Sequence, residues 1–311
     1  MKATNNDFDI PILFITYNKF DTTINVLNKI KILNPSKLII ASDGPKNSED
    51  NKIITNLRHH FEKELKHIDF TKIYNQENKG CKWSVTNAIN ESFKEHSKLI
   101  ILEDDTLPSN SFFHYCRNLL DLYSEESKVN LISGYNYLIK TNSKNNYFFS
   151  KYSNIWGWAT WKDEWESKVE LNEKNLKLFL EKDLQNIFFE EQEKEFFIER
   201  FKSVVYKNLD SWAFGLTFSN FYQNKLSIIP KYNLVKNIGL GHLKATHTKN
   251  HNKILISTPN IRLDLLQKNN YLLSKPEAEF KTDYLYYKKV IAKNSFYNKL
   301  IYKFLKLMKK I

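Results

Sequence analysis

The sequence is poor in cysteine and glycine, and both shortages narrow the classes of protein that it can encode. Its 311 residues include two cysteines, Cys81 and Cys116, which form no C-x-x-C pair, so we expect neither a disulfide framework nor a structural zinc site. The seven glycines form neither a G-x-G-x-x-G run nor a P-loop. The sequence therefore argues against dinucleotide-binding and P-loop proteins.

Long apolar runs are also missing. No segment reaches the roughly 18 consecutive apolar residues of a membrane-spanning helix, and residues 1–9 are polar and acidic, unlike a secretory signal. With the scarcity of cysteine, these features predict a cytoplasmic location. The hydrophobic fraction of 41% and the charged fraction of 26% are typical of a folded globular chain.

Positive charge is in excess, with a formal net charge of +12, which favours polyanionic partners without choosing among nucleic acid, anionic lipid and phosphorylated ligands. In the tail, residues 288–311, the charge has a helical pattern. Apolar side chains share one side and lysines form the adjoining stripe: Phe296, Leu300, Phe304, Leu307, Met308 and Ile311 beside Lys299, Lys303, Lys306 and Lys310. This pattern is typical of a helix on an anionic membrane surface, although a helix docked on the protein with its lysines in solvent fits as well. We expect no nucleic-acid partner.

The first half of the chain alternates short apolar runs with helical patterns. The predicted strands are Ile10 to Thr16, Lys37 to Ser42, Phe70 to Tyr74, Leu99 to Leu102 and Val129 to Ser133. Asp21 is a candidate cap for the first helix, and Ser109 or Ser111 for the helix after the fourth strand. This alternation predicts an α/β fold with a doubly wound, mostly parallel sheet and helices on both faces, which binds ligands at the carboxyl ends of its strands.

The second half is less regular. Residues 135–163 form an aromatic and Asn-rich stretch without clear period, residues 173–224 return to helical patterning, and Leu226 to Ile229 resemble a further strand. A polar loop with His242, His247 and His251 follows at residues 237–251.

Polar residues follow three of the predicted strands. Glu103, Asp104 and Asp105 come directly after the fourth strand, where adjacent carboxylates repel one another unless a cation or donor compensates them. They indicate a divalent metal site, or else a solvated turn. Thr16, Tyr17 and Asn18 follow the first strand. Asp43 follows the second strand, either as a ligand of a ribose or base or as part of a simple Asp-Gly turn.

Two further features of the second half are candidates for binding and catalysis. Trp156, Gly157, Trp158 and Trp161 combine indole rings, which stack on sugars and bases, with a residue that permits close approach; an aromatic core cluster has the same composition. Asp210 precedes a helical run, where a carboxylate either caps the helix or, held ionised, accepts a proton.

In their order along residues 10–250, these motifs resemble bacterial GT-A-fold glycosyltransferases, family 2-like and related to the animal N-acetylglucosaminyltransferase I group. The resemblance is carried by Ile15-Thr16-Tyr17-Asn18, Ser42-Asp43-Gly44-Pro45, Asn78-Lys79-Gly80-Cys81, Leu102-Glu103-Asp104-Asp105, Ile132-Ser133-Gly134, Trp156 to Trp161, Asp210-Ser211-Trp212, Asn237-Ile238-Gly239 and Ala245-Thr246-His247-Thr248. Trp83 departs from it, because relatives often have a basic or small residue there.

The resemblance implies an enzyme that moves a sugar from a nucleotide-sugar donor, with UDP-sugars favoured, to a glycan or lipid-linked glycan of a bacterial surface. It implies Mn²⁺ or Mg²⁺ as cofactor, with Asp105 as the direct ligand and His247 near the metal. The implied donor-binding residues are Thr16, Tyr17, Asn18, Asp43, Asn78, Gly80, Glu103 and Asp104, and the three tryptophans with Gly157 are placed on the acceptor side. Asp210 falls where the family has its general base, in an inverting transfer.

On this basis we divide the chain into a nucleotide-sugar-binding half (1–134), an acceptor-binding and catalytic half of the same domain (135–255), and a basic amphipathic helical tail (256–311). Two other functions remain open at this point. A sugar-nucleotide nucleotidyltransferase uses a similar sheet, but it usually has a Gly-rich basic loop after the first strand, where this chain has Thr16 to Phe20. A non-catalytic glycan- or membrane-binding protein has no use for Asp105 and Asp210 together.

Overall fold

The computed structural model describes residues 8–138, 145–240 and 274–292. Its strands, β1 to β10 in chain order, are Ile12–Thr16, Leu38–Ser42, Phe70–Tyr74, Lys98–Glu103, Thr106–Pro108, Val129–Ser133, Tyr147–Ser150, Trp158–Trp161, Leu226–Pro230 and Val235–Asn237. Its α-helices, α1 to α9, are Phe20–Leu33, Ser48–Glu64, Cys81–Ser92, Asn110–Leu122, Lys162–Glu166, Glu173–Leu180, Glu191–Tyr206, Trp212–Gln223 and Phe280–Tyr286. A 3₁₀ turn, Leu184–Asn186, and a π-helical turn, Tyr287–Ala292, complete the described elements.

The main sheet has eight strands in the order β3-β2-β1-β4-β8-β6-β9-β7. Strands β1 to β4 pair in parallel, β6 pairs in parallel with β9, and β8 lies antiparallel between β4 and β6. Since only β8 and β7 run against the others, the prediction of a mostly parallel sheet is confirmed. Strands β5 and β10 form a separate antiparallel pair.

Alternate side chains of the central strands face different helices, which explains why the strands read as unbroken apolar runs. Ile12 and Phe14 of β1 pack in a core cluster with side chains of α1, α2 and α4. Leu13 and Ile15 of the same strand pack on the opposite face with α3 and α8. The predicted doubly wound α/β architecture, with helices on both faces, is therefore confirmed.

Some local predictions are wrong. Residues 135–163 were expected to be irregular, but they supply β7 and β8, and β8 is buried on both faces and therefore shows no alternation of polar and apolar residues. Strand β8, from the predicted acceptor-binding half (135–255), thus lies between β4 and β6 of the predicted nucleotide-sugar-binding half (1–134). Asp21 does not cap α1, because Lys19 is the residue at the cap position. Ser109 does cap α4, with its Oγ 3.2 Å from the Phe112 amide nitrogen.

The start of the C-terminal tail is docked on the protein. Tyr287 and Ile291 are buried in a third apolar cluster with α6, α7 and the outer side of α8. Lys288 forms an ion pair with Glu190, which also accepts a 2.8 Å hydrogen bond from the Tyr287 hydroxyl. Residues 293–311, with the apolar and lysine stripes of the predicted membrane helix, lie outside the described part of the chain. No helix among the described residues is long and apolar enough to span a membrane.

Asp283 anchors helix α9 to strand β7. Its buried carboxylate accepts hydrogen bonds from the Ser150 hydroxyl and, at 3.0 Å, from the Lys151 amide. Burial raises the pKa of Asp283 to about 6, although these hydrogen bonds and the Lys151 ammonium oppose the shift. Because the folded-state pKa is above the unfolded value, this group stabilises the fold most at low pH, and the contribution is lost as the pH rises through about 6.

We therefore expect Asp283→Asn to gain stability relative to the wild type between pH 5 and pH 8, by about 1 kcal/mol. Asparagine can still accept from the Lys151 amide, and its amide group can donate to the Ser150 hydroxyl. Urea unfolding of both proteins at the two pH values measures the change. An equal pH dependence in variant and wild type would contradict the assignment.

Candidate functional site

The carboxyl ends of β1, β2 and β4 bring the predicted acidic motif and its neighbours to one edge of the sheet. Thr16 pairs with Ser42, and Ile15 pairs with Glu103, so the residues that follow these strands are neighbours. The Tyr17 amide donates to Asp104 Oδ2 at 3.1 Å. The motif is therefore attached to the loop between β1 and α1.

Lys19 was not predicted as a site residue, yet its ammonium lies between the two aspartates. Lys19 Nζ is 3.0 Å from Asp104 Oδ1 and 2.7 Å from Asp105 Oδ2, and the Lys19 side chain is only 12% exposed. Burial alone would lower the pKa of Lys19, but the two carboxylates raise it above its ordinary value. Lys19 is therefore the motif's own counter-ion.

One ammonium does not compensate three adjacent acids. Burial raises the pKa of Glu103 to about 8, and the charges of Asp105 and Asp104 add to the shift. Burial also raises the pKa of Asp104, against the opposing effect of Lys19. The raised pKa values mean that the ionised forms of these acids are disfavoured, so a further cation would stabilise negative charge on this motif.

The donor set suits a hard cation that takes most of its ligands from elsewhere. Asp104 and Asp105 converge on one cation position, which the Lys19 ammonium marks. Among the described residues no group of three His, Cys, Asp or Glu side chains could hold a metal ion. Mg²⁺ is commonly bound by one or two carboxylates, with waters and substrate phosphates completing the shell. The two aspartates fit a metal of that kind.

The segment after β10 passes directly over Asp105. The Ile238 amide donates to the Asp105 carbonyl oxygen at 2.8 Å. A Cβ atom on Gly239 would lie 2.3 Å from Asp105 Oδ2, so only glycine allows this approach. The chain then enters residues 241–273, outside the described part, which include His242, His247 and His251. The prediction that His247 approaches the metal stays a prediction.

Asp43 organises the loop between β3 and α3. Its carboxylate accepts hydrogen bonds from the side chains of Asn75, at 2.9 Å, and Asn78, at 3.0 Å. The amides of Gly44 and Lys79 donate to the same carboxylate, at 2.9 Å and 3.1 Å. Asp43 is thus more than the residue of a simple Asp-Gly turn, and its contact with a base remains a prediction. Asn75, which the sequence analysis missed, belongs to this network.

Two side chains of α2 fix the strand ends from behind, and neither was predicted. Asp50 accepts from the Tyr17 hydroxyl at 2.8 Å and from the Asn18 amide group at 2.7 Å. Arg58 donates to the carbonyl oxygens of Ser42, at 2.9 Å, and Asn75, at 2.8 Å. Burial lowers the pKa of Arg58. These contacts hold the predicted donor-binding loops in place.

Asp210 caps a helix, but not the helix that it precedes. Its exposed carboxylate accepts from the amides of Cys81, at 2.9 Å, and Lys82, at 2.8 Å, which are the first two residues of α3. Gly80 precedes them with φ of +83°, and a Cβ there would lie 3.1 Å from Asp210 Oδ2. A glycine at this position therefore gives Asp210 access to the start of α3. The alternative that Asp210 caps α8 is wrong, since Ser211 occupies that position.

The Cys81 thiol shows that the predicted acids share one region. Burial raises the pKa of Cys81 to about 12, and the charges of Glu103, Asp210, Asp104 and Asp43 add to the shift. These acids come from the ends of β2 and β4 and from the segment before α8. Asp43 also accepts from the Lys79 amide and Asp210 from the amides of Cys81 and Lys82, so these two acids lie on either side of Gly80 at the start of α3.

The structure corrects the prediction for two of the three tryptophans. Trp158 is 1% exposed and stacks on Trp212 with ring centroids 5.6 Å apart. Trp161 is also buried, and its indole donates to the Leu120 carbonyl oxygen at 3.0 Å. Both belong to the core, because β8 lies inside the sheet, and neither offers a face to a sugar.

Trp156 and Gly157 lie just before β8. Trp156 is half-buried against Tyr135 and Tyr137, with ring centroids 4.6 Å and 5.4 Å away. Gly157 has φ of +64°, and a Cβ on it would lie 2.7 Å from Val235 Cγ2. Gly157 therefore serves close backbone packing, and Trp156 is the member of the motif that keeps an exposed surface.

We expect Trp158→Ala to lower the free energy of unfolding by about 3–5 kcal/mol, because it empties a fully buried indole site. Trp156→Ala, in a half-buried position, should cost clearly less. Chemical denaturation of the two variants, side by side, measures the difference. Equal losses would show that Trp156 is as much a core residue as Trp158.

Comparisons with known proteins give no family for this chain. No protein-family profile and no curated protein matches it. Among solved structures it is similar to glucosyl-3-phosphoglycerate synthase from Mycobacterium tuberculosis in complex with Mn²⁺, UDP-glucose and phosphoglyceric acid, at 10% identity and a TM-score of 0.29 over 50% of this chain and 57% of that one. A UDP-bound structure of the same enzyme matches over 40% of this chain and 42% of that one, at 13% identity and a TM-score of 0.25. The chain thus spans about half the length of that synthase.

Two other solved structures are similar over more of this chain. A UDP-glucose pyrophosphorylase complexed with UDP-glucose has 8% identity and a TM-score of 0.36, over 71% of this chain and 90% of that one. A 4-diphosphocytidyl-2C-methyl-D-erythritol synthase from Anaerococcus prevotii has 14% identity and a TM-score of 0.26, over 70% of this chain and all of that one. Similarities of this size carry no argument about the activity of the present chain.

Proposed function

We propose that this chain is a glycosyltransferase that moves a sugar from a nucleotide diphosphate sugar, with UDP-sugars favoured, to a glycan acceptor of a bacterial surface. The observation that carries the proposal is the group of polar side chains at the carboxyl ends of β1, β2 and β4. It combines a cation position between Asp104 and Asp105 with an ordered polar loop around Asp43. An exposed carboxylate, Asp210, lies at the start of α3, next to the loop that Asp43 holds.

The donor side of the proposal rests on the neighbours of the acidic motif. The loop of Tyr17 and Asn18, held by Asp50, and the loop of Asn78 and Gly80 border the strand ends. A nucleoside bound between these loops would place its diphosphate over Asp104 and Asp105, in keeping with ligand binding outside the carboxyl ends of parallel strands. A bound Mn²⁺ or Mg²⁺ would neutralise charge on the departing diphosphate.

The acceptor side rests on Asp210. In the proposed inverting transfer, Asp210 accepts the proton of an acceptor hydroxyl while that oxygen attacks the anomeric carbon of the donor. The bond from that carbon to the diphosphate oxygen breaks, and the electron pair leaves with the nucleoside diphosphate. Each Asp210 oxygen accepts one backbone hydrogen bond, which keeps the carboxylate oriented and leaves a lone pair on each oxygen. We place Trp156 on the acceptor side, and lipid-linked glycans at a membrane surface among the possible acceptors.

A nucleotide-sugar panel with Mn²⁺ or Mg²⁺, run beside a second panel of nucleoside triphosphates with sugar 1-phosphates, tests the proposal. A glycosyltransferase releases free nucleoside diphosphate from its donor, slowly by hydrolysis without acceptor and faster with one. A nucleotidyltransferase instead releases pyrophosphate from a nucleoside triphosphate and a sugar 1-phosphate. Release of pyrophosphate with no nucleoside diphosphate from any donor would overturn the proposal, and so would the absence of both products.

A further inference from the structure

The feature that the proposed function does not explain is the ion pair inside the acidic motif. Lys19 is the residue at the cap position of α1, and its carbonyl oxygen accepts hydrogen bonds from the Thr23 amide, at 3.1 Å, and the Thr23 hydroxyl. Its backbone is therefore fixed, while its side chain reaches Asp104 and Asp105. The buried ammonium has these two carboxylates as its ion-pair partners.

A divalent ion and this ammonium cannot both occupy the same place. Lys19 Nζ is 2.7 Å from Asp105 Oδ2, whereas Mg²⁺ binds carboxylate oxygens at roughly 2.0–2.1 Å and Ca²⁺ at roughly 2.3–2.6 Å. A metal ion on Asp105 would contact the ammonium and repel it. Metal binding by the free protein must therefore displace Lys19 from two carboxylates and leave its charge unpaired in a buried place, which is costly.

We propose that Lys19 is a competing counter-ion that prevents tight metal binding until a nucleoside diphosphate arrives. The diphosphate supplies anionic oxygens that can both coordinate the metal and form an ion pair with the Lys19 ammonium. Lys19 then moves from the aspartates to the diphosphate, and metal and nucleotide bind with positive coupling. The nucleotide part of this inference rests on the proposed function, but the competition between Lys19 and metal does not.

The competition predicts a gain of metal affinity from the loss of one lysine. With Mn²⁺ alone and no nucleotide, Lys19→Met should bind Mn²⁺ at least about tenfold more tightly than the wild type, since the competing ammonium is gone. Electron paramagnetic resonance of free Mn²⁺ measures this directly. Lys37→Met is the matched control, because it removes the same charge from an exposed ion pair with Asp69 at the other end of β2. The control should bind Mn²⁺ as the wild type does.

The variants must be folded, because the Lys19 change leaves buried carboxylates without their cation. Circular dichroism checks the fold, and Lys19→Gln, which can still donate a hydrogen bond to a carboxylate, is the second variant. Mn²⁺ should raise the melting temperature of both variants more than that of the wild type. If a folded Lys19 variant binds Mn²⁺ no more tightly than the wild type, the competition is refuted.

A nucleotide arm separates this inference from the proposed function. UDP is tested first, and GDP, ADP and CDP separately after it. A nucleotide that binds should increase the Mn²⁺ affinity of the wild type at least about tenfold and that of Lys19→Met much less. If no nucleotide binds to either protein, the proposed function fails while the Mn²⁺ measurements without nucleotide still decide the role of Lys19. If nucleotide binds and tightens Mn²⁺ binding equally in both, Lys19 does not couple the two ligands.

Discussion

Replacing Asp210 by asparagine is expected to lower turnover by about 10²- to 10⁴-fold, while donor affinity changes little. Asparagine cannot accept the proton of an acceptor hydroxyl, so the loss should fall on the chemical step. The proposed donor contacts are at the strand ends and should be unaffected. Initial rates under saturating donor and acceptor, with donor affinity from calorimetry, separate the two effects.

The same substitution also has a structural cost. Both carboxylate oxygens of Asp210 accept an amide hydrogen at the start of α3. Asparagine keeps one acceptor and turns an NH₂ group toward the other amide, so stability should fall by about 1 kcal/mol. Asn172→Ala is a suitable control, because it removes the side-chain cap of α6, which accepts from the Asn175 amide at 2.9 Å. Helix α6 packs in the third apolar cluster and not at the strand ends.

The control shows what the loss of a cap does by itself. If Asn172→Ala and Asp210→Asn lose similar stability but only Asp210→Asn loses turnover, the carboxylate has a chemical role. Near-normal turnover of folded Asp210→Asn would mean that Asp210 only caps α3 and that the proton acceptor lies elsewhere.

Strands of the first half such as β1 and β2 could be predicted because all of their consecutive residues are buried, which gives a continuous apolar run in the sequence. Ile12 to Thr16 and Leu38 to Ser42 are buried throughout, and each gives an unbroken apolar run between polar segments. The same reasoning failed for Trp158 to Trp161. Three indole-bearing motif residues around a glycine have the composition both of a sugar platform and of a central strand, and only the pairing of β8 with β4 and β6 distinguishes these.

The residues that support the site could not be predicted, because their partners are distant in sequence. Asp50 meets Tyr17 across 33 positions and Asp210 meets Lys82 across 128, and no local pattern encodes such contacts. Lys19 is the instructive case. It lies in the segment Thr16 to Phe20 after the first strand, which the sequence analysis used only to argue against a Gly-rich loop. The usable signal is the pair of opposite charges, a lysine after the first strand and acids after the fourth. Because β1 and β4 are parallel neighbours, the lysine after β1 and the acidic run after β4 lie at the same edge of the sheet.

Replacing Asp105 is the second change with a large expected effect. In Asp105→Asn we expect the affinity for the nucleotide-sugar donor in Mn²⁺ to fall at least about tenfold, to the level of the wild type in EDTA. Loss of partners that merely orient a metal ligand costs roughly 10- to 100-fold in metal affinity, and loss of a ligand should cost no less. Asparagine is preferred to alanine, because the Asp105 side chain packs against Gly239 and asparagine retains its shape.

The matched control is Asp69→Asn, which removes the same charge from an exposed carboxylate paired with Lys37 at the far end of β2. Calorimetry of donor binding in Mn²⁺ and in EDTA should show a metal effect for the wild type and the control and none for Asp105→Asn. In EDTA all three proteins should bind donor alike, because the proposed nucleoside contacts come from the other strand ends. If Asp105→Asn retains the full metal effect, Asp105 is not the metal ligand that the proposal assigns.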